Sequence, residues 1–498
     1  MDLLHRLTDK PDTPALITHE DRVWSRGRLL EAIERTSAGL RFGGVGPGDR
    51  VLLVLDDTPA FYAAFLGAMR IGAVPVPLNF LSRAEDFRYY AQDSEAAAIV
   101  VEASLAPRVL AELEGLELLR VVANGPAATG IRSLDHWLAL PQTIPPMHAA
   151  APDDEALWLY SSGSTGKPKG VVHRHASLQA TVTAFAQGVL GMQEDDVVYS
   201  TTPLFHAYGL GNSLVFPLAV GARVVLSSGK PLTAKLLDRV RKHKPTLYFS
   251  VPALYAAVLA DPASAQVDWS SVRFGVSAAE ALPPETYRRF LETTGVQILD
   301  GIGSTEMLHI YCCNRGGAVA PGTSGTPVPG YTLSLVDDAG EAVEGAGSGE
   351  LWVEGPSHLV RYHKLPERTA AKLQGERFAT GDRYTRDAAG CYRYEGRVDD
   401  MLKIGGLWVS PVAIEARLME HPAVHEVAVV GVEVEQRSRI SAHLILCEGA
   451  QPGEALTQEL QAWCKEGLQR YQYPHVVHFV PDLPRTSTGK IQRFKLRD

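Results

Sequence analysis

The sequence predicts an α/β fold with a large N-terminal domain and a small C-terminal one, and three observations carry that reading. Short β-branched apolar runs alternate with amphipathic segments along much of the chain. The 498 residues exceed what one ordinary core organises, which suggests roughly three lobes or a large domain with an appendage. After Gly396-Arg397-Val398-Asp399-Asp400 the composition shifts and a compact βαβ-like pattern begins, so the domains are expected at 1–396 and 397–498.

The elements follow in order. Runs at 51–55 (VLLVL), 98–101, 223–226 and 428–432 read as buried strands, and 61–71, 232–243 and 412–420 as helices. A Pro- and Ala-rich stretch at 141–152 (PQTIPPMHAAAP) reads as an extended loop leading into a strand at 156–160. Between 322 and 394 apolar and polar residues alternate around the turn Asp337-Asp338-Ala339-Gly340, which predicts antiparallel hairpins.

Charge and composition exclude several functions. A net charge of −9, with no long basic run, argues against a nucleic-acid partner. No apolar stretch is long enough for a membrane span, and the N-terminus mixes charges with apolar residues unlike a secretory signal. A cytoplasmic protein that does not engage membranes is expected. Five cysteines without CxxC spacing offer neither a disulfide framework nor a zinc site.

The most informative segment is Tyr160-Ser161-Ser162-Gly163-Ser164-Thr165-Gly166-Lys167-Pro168-Lys169-Gly170, placed after a predicted strand and before an expected helical stretch. Glycines let backbone N–H groups approach polyphosphate closely, hydroxyls add donors, and lysine offsets negative charge. It differs from the NTPase P-loop, because Pro168 stands where that motif needs a hydroxyl for magnesium.

This segment resembles the signature loop of the adenylate-forming superfamily, which includes acyl- and aryl-CoA ligases, luciferases and peptide-synthetase adenylation domains. Further motifs in matching order extend the resemblance over essentially the whole chain. The closest member class is benzoate-CoA ligase, judged from His206-Ala207-Tyr208-Gly209-Leu210-Gly211-Asn212 and Asp300-Gly301-Ile302-Gly303-Ser304-Thr305-Glu306-Met307-Leu308-His309-Ile310. The resemblance implies two α/β lobes plus a β-rich subdomain, and a small mobile α+β C-terminal domain. It also implies ATP, magnesium and coenzyme A as co-substrates and metal, a small aromatic carboxylic acid as substrate, and a homodimer.

Carried over residue by residue, the resemblance assigns nucleotide binding to Ser161, Ser162, Gly163, Ser164, Thr165, Gly166, Lys169, Ala278, Ala279, Glu280, Asp300, Gly301, Ile302, Thr305, Asp382 and Arg397. Glu306 and Thr165 would hold magnesium, with Thr305 beside the α-phosphate. Ser304-Thr305-Glu306 taken alone could equally cap a helix. Asp382 and Arg397 match the residues that bind ribose hydroxyls, a task that suits a carboxylate acceptor. Lys490, in Pro484-Arg485-Thr486-Ser487-Thr488-Gly489-Lys490-Ile491, matches the adenylation lysine, and Asp399 the hinge. Gly405 and Gly406 would let a pantetheine arm pass close to the backbone.

His206 matches a position near the carboxylate and the thiol channel. The acid pocket would be lined by Ala207, Tyr208, Gly303, His309 and Ile310, with Gly303 leaving room for a ring. Two departures from the family pattern stand out: Ala279 replaces a usual glycine beside the adenine site, and Ile302 replaces a frequent aromatic. Besides an aryl-CoA ligase, the motifs admit an enzyme that loads a carrier protein's phosphopantetheine. A catalytically silent adenylate-binding regulator is a further reading, against which the intact Lys490, Glu306, Asp382 and Arg397 argue.

Overall fold

The apolar runs of the sequence become parallel strands covered on both faces. Val51, Leu52, Leu53 and Val54 have no exposed surface, nor do Ala98, Ile99, Val100 and Val101. This is why their sequence runs apolar instead of alternating. A computed structural model describes residues 3–161, 167–229, 231–404, 407–434, 437–485 and 491–497. The chain divides into two units: Met1–Thr332 with Val353–Phe378, and Leu333–Trp352 with Ala379–Asp498.

Two mainly parallel sheets and a small antiparallel one build the first unit among the described residues. One has the strand order Val74–Pro77, Arg50–Val54, Ala98–Glu102, Leu119–Ala123, Arg132–Ser133, every pair parallel. Its helices Pro59–Arg70 and Ala84–Asp93 follow successive strands, as right-handed βαβ crossovers do. The other is nine-stranded among the described residues, and its parallel centre runs Ile298–Gly303, Phe274–Ser277, Leu247–Ser250, Val197–Ser200, Arg223–Val225, Pro14–Ile17. Helix Thr233–His243 buries Leu236, Leu237 and Val240 against this sheet's core, where Tyr248, Tyr255, Trp269 and Phe290 pack edge to face. The two lobes expected from the family resemblance are these two sheets.

One local expectation is overturned. The stretch behind the signature loop is a strand, Lys169–Arg174, with helix His175–Thr181 only after it. It pairs antiparallel with Glu155–Ser161, matching Ser161 to Lys169, so the loop closes a β-hairpin. The β-branched pair Val171-Val172, buried on the hairpin, wins over helix formation.

The second unit holds the hairpin strands Arg377–Arg386 and Tyr392–Arg397 in large part, so segments ahead of residue 397 join the C-terminal unit. Strands Val424–Val434 and Arg437–Leu446 pair antiparallel, and helix Glu454–Gly467 crosses over to Val476–Phe479, parallel to Arg437–Leu446. That crossover is the βαβ pattern seen in the sequence. Among the described residues, no helix is long and apolar enough to cross a membrane.

Candidate active site

Strand periodicity places the first two site residues. Side chains at i and i+4 of a strand share a face, so Lys169 and His173 of Lys169–Arg174 point the same way. Both reach the turn Thr305–Met307: Lys169 Nζ lies 3.1 Å from Glu306 Oε1, and His173 Nε2–H donates to the Thr305 carbonyl at 2.7 Å. The Tyr362 hydroxyl donates to the same Oε1 at 2.8 Å, and its ring carries the Lys169 ammonium 4.2 Å from its centroid. The Lys169 and Glu306 side chains are only 10% and 12% exposed, which makes this a buried ion pair.

Burial pushes the Glu306 carboxyl up, but the charge of Lys169 and the Tyr362 hydroxyl outweigh it and hold the group below its ordinary range. Burial also lowers Lys169, against the pull of Glu306. Both side-chain donors converge on Oε1. Magnesium binds hard oxygens and in nucleotide sites takes few protein carboxylates, its other ligands being water and phosphate. Glu306 fits that donor set; among the described residues, no cluster of three acidic, His or Cys groups could hold a metal unaided. Ser304 does cap the turn, its hydroxyl accepting from Met307 N at 3.3 Å, so the capping reading of this motif is realised.

Several positions expected to meet the nucleotide in the first unit gather at strand ends. Ser277 and Asp300 are paired on neighbouring parallel strands, so Ala278, Ala279 and Glu280 emerge beside Asp300, Gly301 and Ile302. Ligands of open α/β sheets sit at this carboxyl edge. Ala279 has φ 77°, a left-handed backbone in which alanine stands where the family pattern has glycine. The glycine-like geometry is thus retained despite the substitution. Asp300 is buried, and burial pushes its carboxyl up to about 8, against the Leu282 N–H that points to it at 3.4 Å.

In the second unit, Asp382 and Arg397 face each other across the antiparallel pair Arg377–Arg386 and Tyr392–Arg397. Arg397 Nη1 donates to Asp382 Oδ1 and to the Thr380 carbonyl, each at 3.1 Å. Residues fifteen apart in sequence therefore form one charged cluster. Asp399 lies in the short turn Val398–Asp400 that follows. Ser162, Gly163, Ser164, Thr165, Gly166, Gly405, Gly406 and Lys490 lie outside the described residues.

The expected acid pocket centres on His309. This buried imidazole packs against Phe185 (ring centroids 4.9 Å), Tyr208 (5.6 Å) and Phe216 (4.6 Å), and its Nε2–H donates to Asn212 Oδ1 at 3.1 Å. Phe185 and Asn212 both come from π-helical turns, Val182–Gln187 and Gly211–Val215. Such wider turns recur at functional sites and re-aim side chains. The Tyr62 hydroxyl donates to the Ser213 carbonyl within the second of them. Burial lowers His309 to about 3, so the imidazole is neutral at any working pH. The Tyr208 hydroxyl donates to the Val276 carbonyl at 3.0 Å, fixing its ring.

His206 and Ala207 open the short helix Ala207–Leu210, with the His206 ring 4.4 Å from Phe205. Gly209 is required here: a Cβ would stand 2.1 Å from the Pro203 carbonyl oxygen. Buried Asp57 accepts from Leu204 N at 2.9 Å and ties down the loop before His206. Ile310 is buried at the start of Ile310–Cys313. Gly303 has a backbone reason of its own: a Cβ there would stand 2.6 Å from the His309 carbonyl oxygen, so the hairpin itself demands glycine.

Sequence reasoning gave no role to His173, Tyr362, Asn212, Phe185, Phe216 or Asp57. His173 had a usable signal, its two-residue alternation with Lys169, and Asn212 closes the motif that begins at His206. The others carry no local mark of their role.

A nucleotide-using α/β enzyme is the class that this fold and site define. The chain belongs to the AMP-binding enzyme family, whose model matches residues 3–363, while the AMP-binding enzyme C-terminal domain matches 413–490. It is 46% identical to the benzoate–CoA ligase of Thauera aromatica over 94% of this chain and 89% of that one. Among solved structures, a benzoate CoA ligase from Burkholderia xenovorans superposes with a TM-score of 0.92 at 42% identity, covering 100% of this chain and 99% of the other. An anthranilate CoA ligase in complex with anthranoyl-AMP gives 0.93 at 36%, covering 99% and 96%.

Two predictions follow from the strand-end geometry. A left-handed alanine is strained by roughly 1–2 kcal/mol, partly offset by glycine's greater unfolded-state entropy. Ala279→Gly is therefore expected to stabilise the protein by up to about 1 kcal/mol, read as a raised Tm; a lowered Tm contradicts it. Asp300 keeps its proton in the folded protein to about pH 8, whereas the unfolded chain loses it near about pH 4. Folding then binds a proton, and this group's contribution to stability falls as pH rises through that window. Asp300→Asn should flatten the Tm decline between about pH 6 and 8; parallel wild-type and variant profiles would rule this out.

Proposed function

We propose that this protein is an ATP-dependent acid–thiol ligase that converts a benzoate-like acid into its acyl-adenylate and then into the coenzyme A thioester, releasing pyrophosphate and AMP. The observation that carries this reading is the buried Lys169–Glu306 pair, which joins the end of the signature loop to the second family motif in one place. Relatives that are CoA ligases for aromatic acids by name support the acid and the thiol, and the neutral aromatic surroundings of His309 suit an aromatic ring.

In the first half-reaction a carboxylate oxygen of the acid attacks the α-phosphorus, and the bond to pyrophosphate breaks. Clustered negative charge must be neutralised and two anions aligned. Ser161, Lys169 and the loop residues Ser162, Gly163, Ser164, Thr165 and Gly166 bind the phosphates in this proposal, and Asp382 and Arg397 bind the ribose. Ala278, Ala279, Glu280, Asp300, Gly301 and Ile302 surround the base. Glu306, with Thr165, is the site for magnesium, which supplies charge neutralisation at the phosphates when bound. Lys490 bridges carboxylate and α-phosphate as charge builds in the transition state.

In the second half-reaction the thiol attacks the acyl carbonyl and AMP leaves. The division of labour falls at 397–498: this domain brings Lys490 for the first step and, pivoting at Asp399, offers the Gly405–Gly406 face to the pantetheine arm. Ala207, Tyr208, His309 and Ile310 hold the acid, with His206 between carboxylate and thiol. A cytoplasmic homodimer fits a consumer of ATP and coenzyme A.

The deciding assay is benzoate-dependent exchange of labelled pyrophosphate into ATP, run over a panel of benzoates, hydroxybenzoates and short fatty acids and repeated as thioester formation with coenzyme A. Benzoates should lead the panel; no exchange with any acid refutes the function. Lys490→Ala is expected to slow exchange by about a hundredfold or more, while coenzyme A acylation from supplied benzoyl-AMP stays within about twofold of wild type. Equal loss of both steps overturns this assignment of Lys490.

A further inference from the structure

Both ends of the signature hairpin are tied to one helix that no motif assigns. Helix Ala84–Asp93 presents Tyr89 and Asp93 on one face, four residues apart. On the outgoing end of the loop, the Tyr89 hydroxyl donates to the Pro168 carbonyl at 2.8 Å, and the Lys167 ammonium stands 5.3 Å from the Tyr89 ring centroid. On the incoming end, the Tyr160 hydroxyl donates to Asp93 Oδ2 at 2.6 Å, and its ring meets Tyr90 edge-on at 4.7 Å. A further strand, Arg361–Tyr362, pairs antiparallel with Lys169–Arg174, and the two residues after it close the arrangement: His363 Nε2–H and Lys364 Nζ each donate to the Asp93 carbonyl at 2.9 Å. Burial raises the Tyr89 hydroxyl, so it remains a donor at working pH.

We propose that this helix is a clamp that sets the two ends of the phosphate loop, with Tyr89, and Asp93 acting through Tyr160, as positioning residues for ATP. The inference rests on reading 161–169 as the phosphate-binding segment. With Tyr160 and Pro168 held, the adjoining Ser161 and Lys169 lose less freedom when they meet a ligand. Tyr89 also occupies Lys167, which would otherwise sample solvent, by cation–π attraction. A clamp of this kind acts on nucleotide binding alone, because neither half of it reaches the pocket around His309.

The test uses the full chain, with pyrophosphate exchange in ATP and magnesium and benzoate as the acid. Tyr89→Phe keeps the ring beneath Lys167 and removes only the bond to Pro168, so the KM for ATP should rise by about threefold. Tyr89→Ala removes both contacts, and about tenfold is expected. Tyr160→Phe cuts the other tie and should raise it by about threefold as well. In all three the KM for benzoate and the rate of coenzyme A acylation from supplied benzoyl-AMP should stay within about twofold. Tyr89→Phe and Tyr160→Phe preserve ring packing, so they decide the matter should Tyr89→Ala not fold. An unchanged KM for ATP in both, or ATP and benzoate values moving together, overturns the clamp. Absence of exchange in the wild type would instead remove the nucleotide reading on which it stands.

Discussion

The buried pair of Lys169 and Glu306 is the constraint on which the first unit's site depends. Two opposite charges with little access to water hold only when each satisfies the other, and deleting one partner of such a pair costs about 3–5 kcal/mol. Tyr362 completes the arrangement by bonding the carboxylate and covering the ammonium. With the His173 bond to Thr305, it locks the signature hairpin onto the end of the nine-stranded sheet. In the proposed function the same two charges meet the nucleotide and its metal. Stability without ligand and readiness for ligand therefore draw on one interaction.

The hairpin explains why this loop differs from the P-loop in more than sequence. A P-loop runs from a strand into a helix, whose free N–H groups and dipole receive phosphate. Here the loop returns into a strand, so the helix dipole is absent from that position and positive charge comes from side chains. Lys169 is buried and paired, while Lys167 lies over Tyr89. Pro168 between them donates no N–H, and its carbonyl serves as an anchor.

Around His309, the fold interrupts two helices with π turns to bring Phe185 and Asn212 to one imidazole. Burial among three aromatic rings keeps that imidazole neutral, and the Asn212 bond fixes which nitrogen carries the proton. The rings about the imidazole meet it edge-on and tilted, the arrangements aromatic pairs prefer. The strained Ala279 and the raised Asp300 lie at the neighbouring strand ends, where function is usually paid for in local stability.

The sequence by itself determined the parallel-strand core, because strands buried on both faces must be continuously apolar, as 51–54 and 98–101 are. It also determined which motifs carry charge and in what order. Lys169, Thr305, Glu306, Asp382 and Arg397 were all legible that way, whereas the left-handed backbone at Ala279 was seen only in the structure. Tertiary structure alone decided that the signature loop closes a hairpin, since helix and strand compete locally and the pairing of Glu155–Ser161 with Lys169–Arg174 settles the contest. It alone brought Tyr362 to Glu306, Asn212 to His309 and Tyr89 to Pro168, contacts between residues far apart in the chain. It also gave Gly303 its reason, a backbone packed too close for any side chain. Periodicity reports what each residue needs from its surroundings; which distant residue supplies it is set only when the sheets and helices pack.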